Sequence, residues 1–289
     1  MKRTEDINDN EIRLIGGVQK PKGPNRKWLI AAATVVLAAV LAILLWPHSE
    51  ATEEVVPTVY EPTAVPQTTP HPLRPWLEAN DTITQSGCVI KDTIVNDIAI
   101  RIYHPLNATA ALKIGTQPLK DPNVILAMQA ADIRADNYKI VGAFVEKGKP
   151  IAWGLSKKGY CAILHDSIFV GMADNSPLFE EATDCEGYFF RQYPLVANGV
   201  PQESELRSQS IRRALCETDG HIVVVETIDR SSMHDFAVLL SDLGTLNAIY
   251  LIGSDAMGSY TTLDGERHQL GNYVEKPHKY TNFIYWSKR

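Results

Sequence analysis

No two cysteines of this chain stand at C-x-x-C spacing and no histidine clusters with any of them, so zinc-ribbon and zinc-finger frameworks are excluded and no metal-ligand set is assigned. Basic residues are scarce as well. Against 34 Asp and Glu there are 28 Lys and Arg, giving a net charge of −6 and a pI near 5.8, which leaves no basic face to track a phosphate backbone; nucleic acid is not an expected partner. No G-x-S-x-G, H-E-x-x-H or G-x-x-x-x-G-K-[ST] run occurs, which argues against the serine-hydrolase, zinc-peptidase and nucleotide-hydrolase readings. No motif names a cofactor.

Charge is missing altogether from Trp28 to Trp46, WLIAAATVVLAAVLAILLW. At ~1.5 Å per residue that run covers a hydrocarbon core of ~30 Å and is expected to span a membrane. Lys20, Lys22, Arg26 and Lys27 precede it, whereas Glu50, Glu53 and Glu54 follow it and no Lys or Arg appears until Arg74. The positive-inside rule therefore predicts a cytoplasmic tail over 1–27, a transmembrane helix over 28–46, and everything beyond in the periplasm or outside the cell. A cleaved secretion signal, with Ser49-Glu50-Ala51 as its small-residue site, is the competing reading.

Residues 47–84 hold seven prolines among threonines and acids, Pro47, Pro57, Pro62, Pro66, Pro70, Pro72 and Pro75, and few bulky aliphatics, so they read as an extended linker. The remaining 85–289 suffices for one sizeable domain. All four cysteines, Cys88, Cys161, Cys185 and Cys216, lie beyond the apolar segment; in an oxidising compartment at least one disulfide is expected, buried free thiols being the alternative. Ile94 to Ile102 shows the alternation of a strand or strand pair. Asp121-Pro122-Asn123 reads as the start of a helix over Val124 to Ile133, and Tyr138 to Glu146 as a strand turning at Lys147-Gly148-Lys149 into a partner over Pro150 to Leu155. A further hairpin is expected over Tyr160 to Met172. Ile222 to Ile252 reads as strand–helix–strand around Met233 to Leu243, and the whole as an α+β domain with a mixed β-sheet and helices.

From Gln192 onward the order is Gln192-x-Pro194-Leu195-Val196-x-Asn198-Gly199, then Arg212-Arg213-Ala214, Asp219-Gly220, Glu226-Thr227, and Asn247-Ala248-Ile249-Tyr250-Leu251-Ile252-Gly253-Ser254-Asp255. This layout resembles the phosphodiester glycosidase domain family, which includes bacterial members in exopolysaccharide loci. The resemblance implies a glycan or sugar-phosphate substrate. It also implies substrate-binding roles for Arg212, Asn198, Gly253 and Ser254, and catalytic roles for Glu226 and Asp255. The chain departs from the pattern twice: Ile252 occupies the place of the family's aspartate, and Met128 to Ile133 lacks the Asn-Gly and aromatic of the family's I-N-G-G/A-x-F run.

Cleaving a sugar-1-phosphodiester requires carboxylate support for an oxocarbenium-like transition state and a cationic or amide-rich phosphate cradle. Arg212 has the planar fork for phosphate, or pairs with a structural acid; only one of Arg212 and Arg213 can face a given site, because successive strand residues alternate. Glu226 is either a cleft carboxylate or a solvated strand-end acid. Asp255 either substitutes for the missing aspartate or is an exposed turn residue. Two functions follow: a membrane-anchored glycosidase, or a non-catalytic relative that binds a glycan or a protein beside the membrane.

Overall fold

The computed structural model describes residues 72–204 and 208–289. The tail 1–27, the apolar segment 28–46 and the linker up to residue 71 lie outside the described residues, among which no helix is long and apolar enough to cross a membrane. Helix α1 (Arg74–Asn80) leads into β1 (Gly87–Val95), β2 (Ile98–Leu106), β3 (Ala108–Ile114), β4 (Val124–Gln129), β5 (Phe144–Glu146) and β6 (Lys149–Ala152). Next come β7 (Gly159–Leu164), β8 (Ser167–Met172), helix α2 (Leu178–Asp184), β9 (Tyr188–Gln192), β10 (Pro194–Ala197), β11 (Val200–Pro201), β12 (Arg213–Thr218) and β13 (His221–Thr227). Helix α3 (Met233–Asp242), β14 (Asn247–Leu251), β15 (Gly258–Thr261), β16 (Arg267–Leu270) and β17 (Asn282–Lys288) complete the domain.

The strands form three sheets, ordered β1-β2-β13-β12-β14-β10-β11, β16-β15-β4-β17-β3 and β6-β5-β9-β7-β8. Each described pairing is antiparallel, as hairpin-built sheets require. The tight turns carry residues that tolerate positive φ: Asn96-Asp97 between β1 and β2, His165-Asp166 between β7 and β8, Asn198-Gly199 between β10 and β11, and Asp219-Gly220 between β12 and β13. With three short helices beside three sheets, the domain is α+β with β dominant.

Alternation along β12 and β13 divides the core. Leu215 and Val224 face the interior shared by all three sheets, with Leu126, Met128, Phe144, Phe190 and Ile284. Ala214, Cys216, Val223 and Val225 face the opposite way, against Phe236, Leu239 and Leu240 of α3. Helix α3 buries Met233, Phe236, Ala237 and Leu240, a 3.6-period stripe, each large side chain contributing about 1.5–3 kcal/mol, and Ser232 caps it by accepting from the Asp235 N–H at 2.9 Å.

Four expectations are corrected. The run from Val124 is strand β4, not a helix: it lies between β15 and β17 with Val124 to Met128 all buried, and a strand covered on both faces shows no alternation to betray it. Only Phe144–Glu146 of the expected 138–146 strand pairs, because Tyr138 turns with φ 58 and Gly142 with φ 83. The last residues of the linker range are structured: Leu73 and Leu77 enter the core under α3, and Arg74 grips Asp219 through two hydrogen bonds of 2.7 and 3.0 Å. Finally, all four cysteines are free. Cys88 and Cys161 stand on strands of different sheets and Cys216 on the far face of the seven-stranded one, where they act as small hydrophobes; burial pushes these three thiols up and keeps them protonated.

Helix α1 is also tied down by histidines. Asn80, itself buried, shares a 3.1 Å hydrogen bond with Nδ1 of buried His104, and His221 Nε2 lies 2.9 Å from Asp81. Burial and the neighbouring His221 ring push His104 down to about 4 from an ordinary value of 6.5. The neutral imidazole is therefore the folded form, and the unfolded chain binds the extra proton as pH falls. Stability contributed by His104 is present above pH ~6.5 and lost on acidification through pH 4, by at most about 3 kcal/mol. Urea unfolding between pH 7 and 4 should show a steeper loss for the wild type than for His104→Gln. Identical slopes would show that His104 does not titrate with unfolding.

Candidate functional site

Strands β13 and β14 both run antiparallel to the β12 that separates them, so they point the same way and finish at the same end of the sheet. Arg213, the first residue of β12, sits opposite Glu226 on one side and Leu251 on the other. Side-chain alternation then settles what meets there. Arg213 and Glu226 share the face of Leu215 and Val224, while Arg212 faces the helical side.

Arg213 is fully buried. Its Nη2 donates to Glu226 Oε1 at 2.5 Å, its Nη1 donates to the Ile252 carbonyl at 3.0 Å, and its Nε has no partner. The other carboxylate oxygen, Oε2, accepts from the Tyr103 hydroxyl at 2.9 Å. Burial, then the Glu226 charge, raises the Tyr103 hydroxyl, which stays a neutral donor. A buried guanidinium with a carboxylate at this distance is a charge-assisted pair whose parts cannot be removed singly without leaving a charge unpaired.

The pair borders a cleft of about 220 Å³ lined by Arg101, Tyr103, Ile211, Glu226, Thr227, Ile228 and Leu270. Arg101 stands at its rim, half-exposed, with Nε and Nη2 each 2.7 Å from the Asp92 carboxylate, which these hydrogen bonds draw below the ordinary range. A hollow of similar size, about 210 Å³, lies around Met257, Ser259 and Tyr273 and carries one charged side chain, Lys120. With an acid, a phenol and a cation facing one space, the Glu226 cleft has the better chemistry.

The residues singled out in the sequence are dispersed. Arg212 is buried on the opposite face, where its guanidinium donates to the Ser231 carbonyl at 3.0 Å and to Ser208, tying the start of β12 to the beginning of α3. Its distance from Glu226 is imposed by strand alternation, so Arg212, Glu226 and Asp255 do not share one cleft. Gly253 lies at the right end of the sheet but serves packing: a Cβ there would stand 2.3 Å from the Ile211 carbonyl oxygen. Ser254, in the left-handed region at φ 55, and Asp255 are exposed on the following loop. Asn198 occupies the β10–β11 turn at φ 50 and donates its N–H to Asn247 Oδ1, at the other end of β14.

Arg213 was weighed only as the alternative to Arg212, and Tyr103 and Arg101 were not singled out. The first was recoverable, since Arg213 and Glu226 are equidistant from the Asp219-Gly220 turn and a two-residue hairpin must set them opposite each other. Ile252 contributes main chain: its N–H donates to the Gln129 carbonyl at 3.2 Å and its carbonyl receives Arg213.

No protein-family model and no curated protein matches the chain. Among solved structures, the zebrafish N-acetylglucosamine-1-phosphodiester alpha-N-acetylglucosaminidase catalytic domain, auto-inhibited by its pro-peptide, is similar at TM-score 0.47 and 13% identity, covering 71% of this chain and 83% of that one. A hypothetical protein from Synechocystis is similar at TM-score 0.49 and 10% identity, over 70% of this chain and 62% of that one. Both are likenesses of chain path, and no residue role is transferred from them.

The placement of these residues separates two substitutions. Tyr103→Phe removes the donor to Glu226 Oε2 and should lower unfolding free energy by about 1–3 kcal/mol, whereas Asp255→Ala, at an exposed position, should stay within about 0.5 kcal/mol. Chemical denaturation of both variants checks this. Equal effects would contradict the geometry.

Proposed function

We propose that this protein is a membrane-anchored, extracytoplasmic glycan-binding protein that uses the Glu226 cleft to hold a sugar linked through phosphate, without efficient hydrolysis. The observation that carries this reading is the engagement of the one acid that lines the cleft among the described residues. Glu226 accepts from Arg213 on one oxygen and from Tyr103 on the other. Glycosidases work with two carboxyl groups flanking the bond, one giving a proton and one acting as base or nucleophile. A lone carboxylate fixed between two donors is suited instead to accept a sugar hydroxyl on its remaining lone pairs, with Arg101 at the rim as the cation for phosphate. Ile252 in the place of the family's aspartate supports the same conclusion, as does the resemblance of the Gln192–Asp255 layout for the class of ligand. Anchoring rests on the uncharged Trp28–Trp46 segment and its flanking charges.

The test uses the full chain in detergent micelles and UDP-N-acetylglucosamine, a sugar joined through C1 to a substituted diphosphate, as probe. Calorimetry should give saturable binding that Arg101→Ala weakens about tenfold, while the loss of its half-exposed ion pair leaves stability within about 1 kcal/mol. Release of free sugar should stay at the rate of a protein-free control. Unaltered affinity in Arg101→Ala would remove the cleft from the reading, and sustained sugar release abolished by Glu226→Gln would make the protein a hydrolase.

A further inference from the structure

The hollow of about 210 Å³ against the β15–β16 hairpin shares one lining residue, Leu270, with the Glu226 cleft. Strand alternation decides what looks into it. Ser259 and Gln269 are cross-strand partners and both line it, whereas the next pair, Tyr260 and His268, stack on each other at 4.7 Å on the opposite face, beside Tyr103. Its floor is Met257, which packs with Val124, Ala127 and Phe283 in a cluster separate from the interior shared by the three sheets. The covering loop is fastened at three points. Gly271 turns at φ 65 where a Cβ would stand 2.2 Å from the Ala256 carbonyl oxygen, the Asn272 N–H donates to the Asp255 carbonyl at 2.9 Å, and the Val274 N–H donates to the Met257 sulfur at 3.3 Å. Tyr273, between these points, is held half-exposed as a wall of the hollow.

The polar groups there are biased toward an anion. Arg267 shares the Gln269 face and donates to the carbonyls of Asp121, Leu119 and Pro118 at 2.7, 3.0 and 3.2 Å, which pins the segment bearing Lys120 to the hairpin. Its Nη2 also donates to Ser259 Oγ at 3.1 Å, so the buried hydroxyl accepts from a cation and keeps its own proton to donate, polarised by that charge. Among the described residues Arg267 has no carboxylate partner, and neither the Lys120 ammonium nor the Gln269 amide has a partner at all. Lys120 is the one charged residue of the lining. The acids nearby are turned elsewhere: Asp121 accepts from the Asn123 N–H at 2.8 Å, and Glu266 lies on the His268 face with Oε1 3.6 Å from His268 Nε2.

We propose that this hollow binds a small aromatic carboxylate, one ring joined to one carboxyl group by a short chain. The carboxylate takes the Lys120 ammonium and the Ser259 hydroxyl, and the ring lies among Leu119, Met257, Leu270 and Tyr273, the division between apolar walls and a few placed polar groups that small-ligand sites share. Cavities for drug-sized molecules run to ~300–1,000 Å³. At about 210 Å³ this one suits a single ring, not a nucleotide or an oligosaccharide. One uncommitted ammonium matches one negative charge, since Arg267 supplies field but has spent its donors. The inference stands on residues outside the Glu226 pair and does not depend on the ligand assigned to that cleft.

The probe is 3-phenylpropionate, titrated by calorimetry into the full chain in detergent micelles, with protein-free micelles as the blank. Saturable binding is expected, weakened at least tenfold by Lys120→Met and at least fivefold by Tyr273→Ala. Both side chains are exposed, so both variants should keep the wild-type thermal transition. The neutral isostere 3-phenylpropionamide should bind at least tenfold more weakly than the acid and equally to wild type and Lys120→Met. Absence of binding to the wild type, or unchanged affinity in Lys120→Met, overturns the proposal. Tighter binding of phenyl phosphate than of 3-phenylpropionate would assign the hollow to phosphate and overturn it too. Saturating UDP-N-acetylglucosamine should leave the affinity for 3-phenylpropionate within threefold, and full competition would place the probe in the Glu226 cleft and sink the inference. Failure of UDP-N-acetylglucosamine to bind would remove the other reading and leave this test intact.

Discussion

A guanidinium buried to complete exclusion from solvent at the first residue of β12 is the constraint around which the candidate site is organised. Arg213 cannot be hydrated, so its charge must be met from within the protein, and the hairpin register delivers Glu226 directly across from it. The remaining donors fix the neighbours: Nη1 holds the Ile252 carbonyl at the end of β14, and Tyr103 on β2 closes the far side of the carboxylate. Four strands of the seven-stranded sheet are tied together through one ion pair. The Ile252 N–H extends the connection to the second sheet through the Gln129 carbonyl. A site that rigid is preorganised for binding but has little freedom to exchange protons.

The same alternation explains the two arginines. Arg213 falls on the interior face and holds Glu226, which lines the cleft; Arg212, one residue earlier, falls on the helical face and becomes a brace between β12 and α3. Each is buried and each satisfies main-chain carbonyls, but only one meets a carboxylate. The surface around the cleft then supplies what the pair cannot, a partly exposed cation at Arg101.

Much of the fold was legible wherever one face of an element is wet or a turn needs positive φ. The hairpins at Asn96-Asp97, His165-Asp166 and Asp219-Gly220 and the amphipathic α3 follow from such local signals. Strand β4 was not legible, since burial on both faces erases the period of two and leaves an apolar run that fits a helix equally well. Helix α1 was hidden by its prolines, although Pro75 sits at the helix start where its missing N–H costs nothing. The cysteine expectation used compartment and number, which say nothing of distance; packing decided otherwise. At the site, Glu226 was found from its position at a strand end, but its partner was assigned to the wrong neighbour because the register across the Asp219-Gly220 turn was not counted out to Arg213. Tyr103 and Arg101 arrive from β2, a hundred residues upstream in order of magnitude, and nothing local in the sequence links them to Glu226.

A double-mutant cycle on Arg213 and Glu226 measures whether this pair organises the site. Arg213→Met and Glu226→Gln should each lower the unfolding free energy by about 3–5 kcal/mol, because each leaves a buried partner uncompensated, while the double variant should lose much less than their sum, with a coupling of about 2 kcal/mol or more. Strictly additive losses would show that the two side chains act independently and that the site is not built on their pairing.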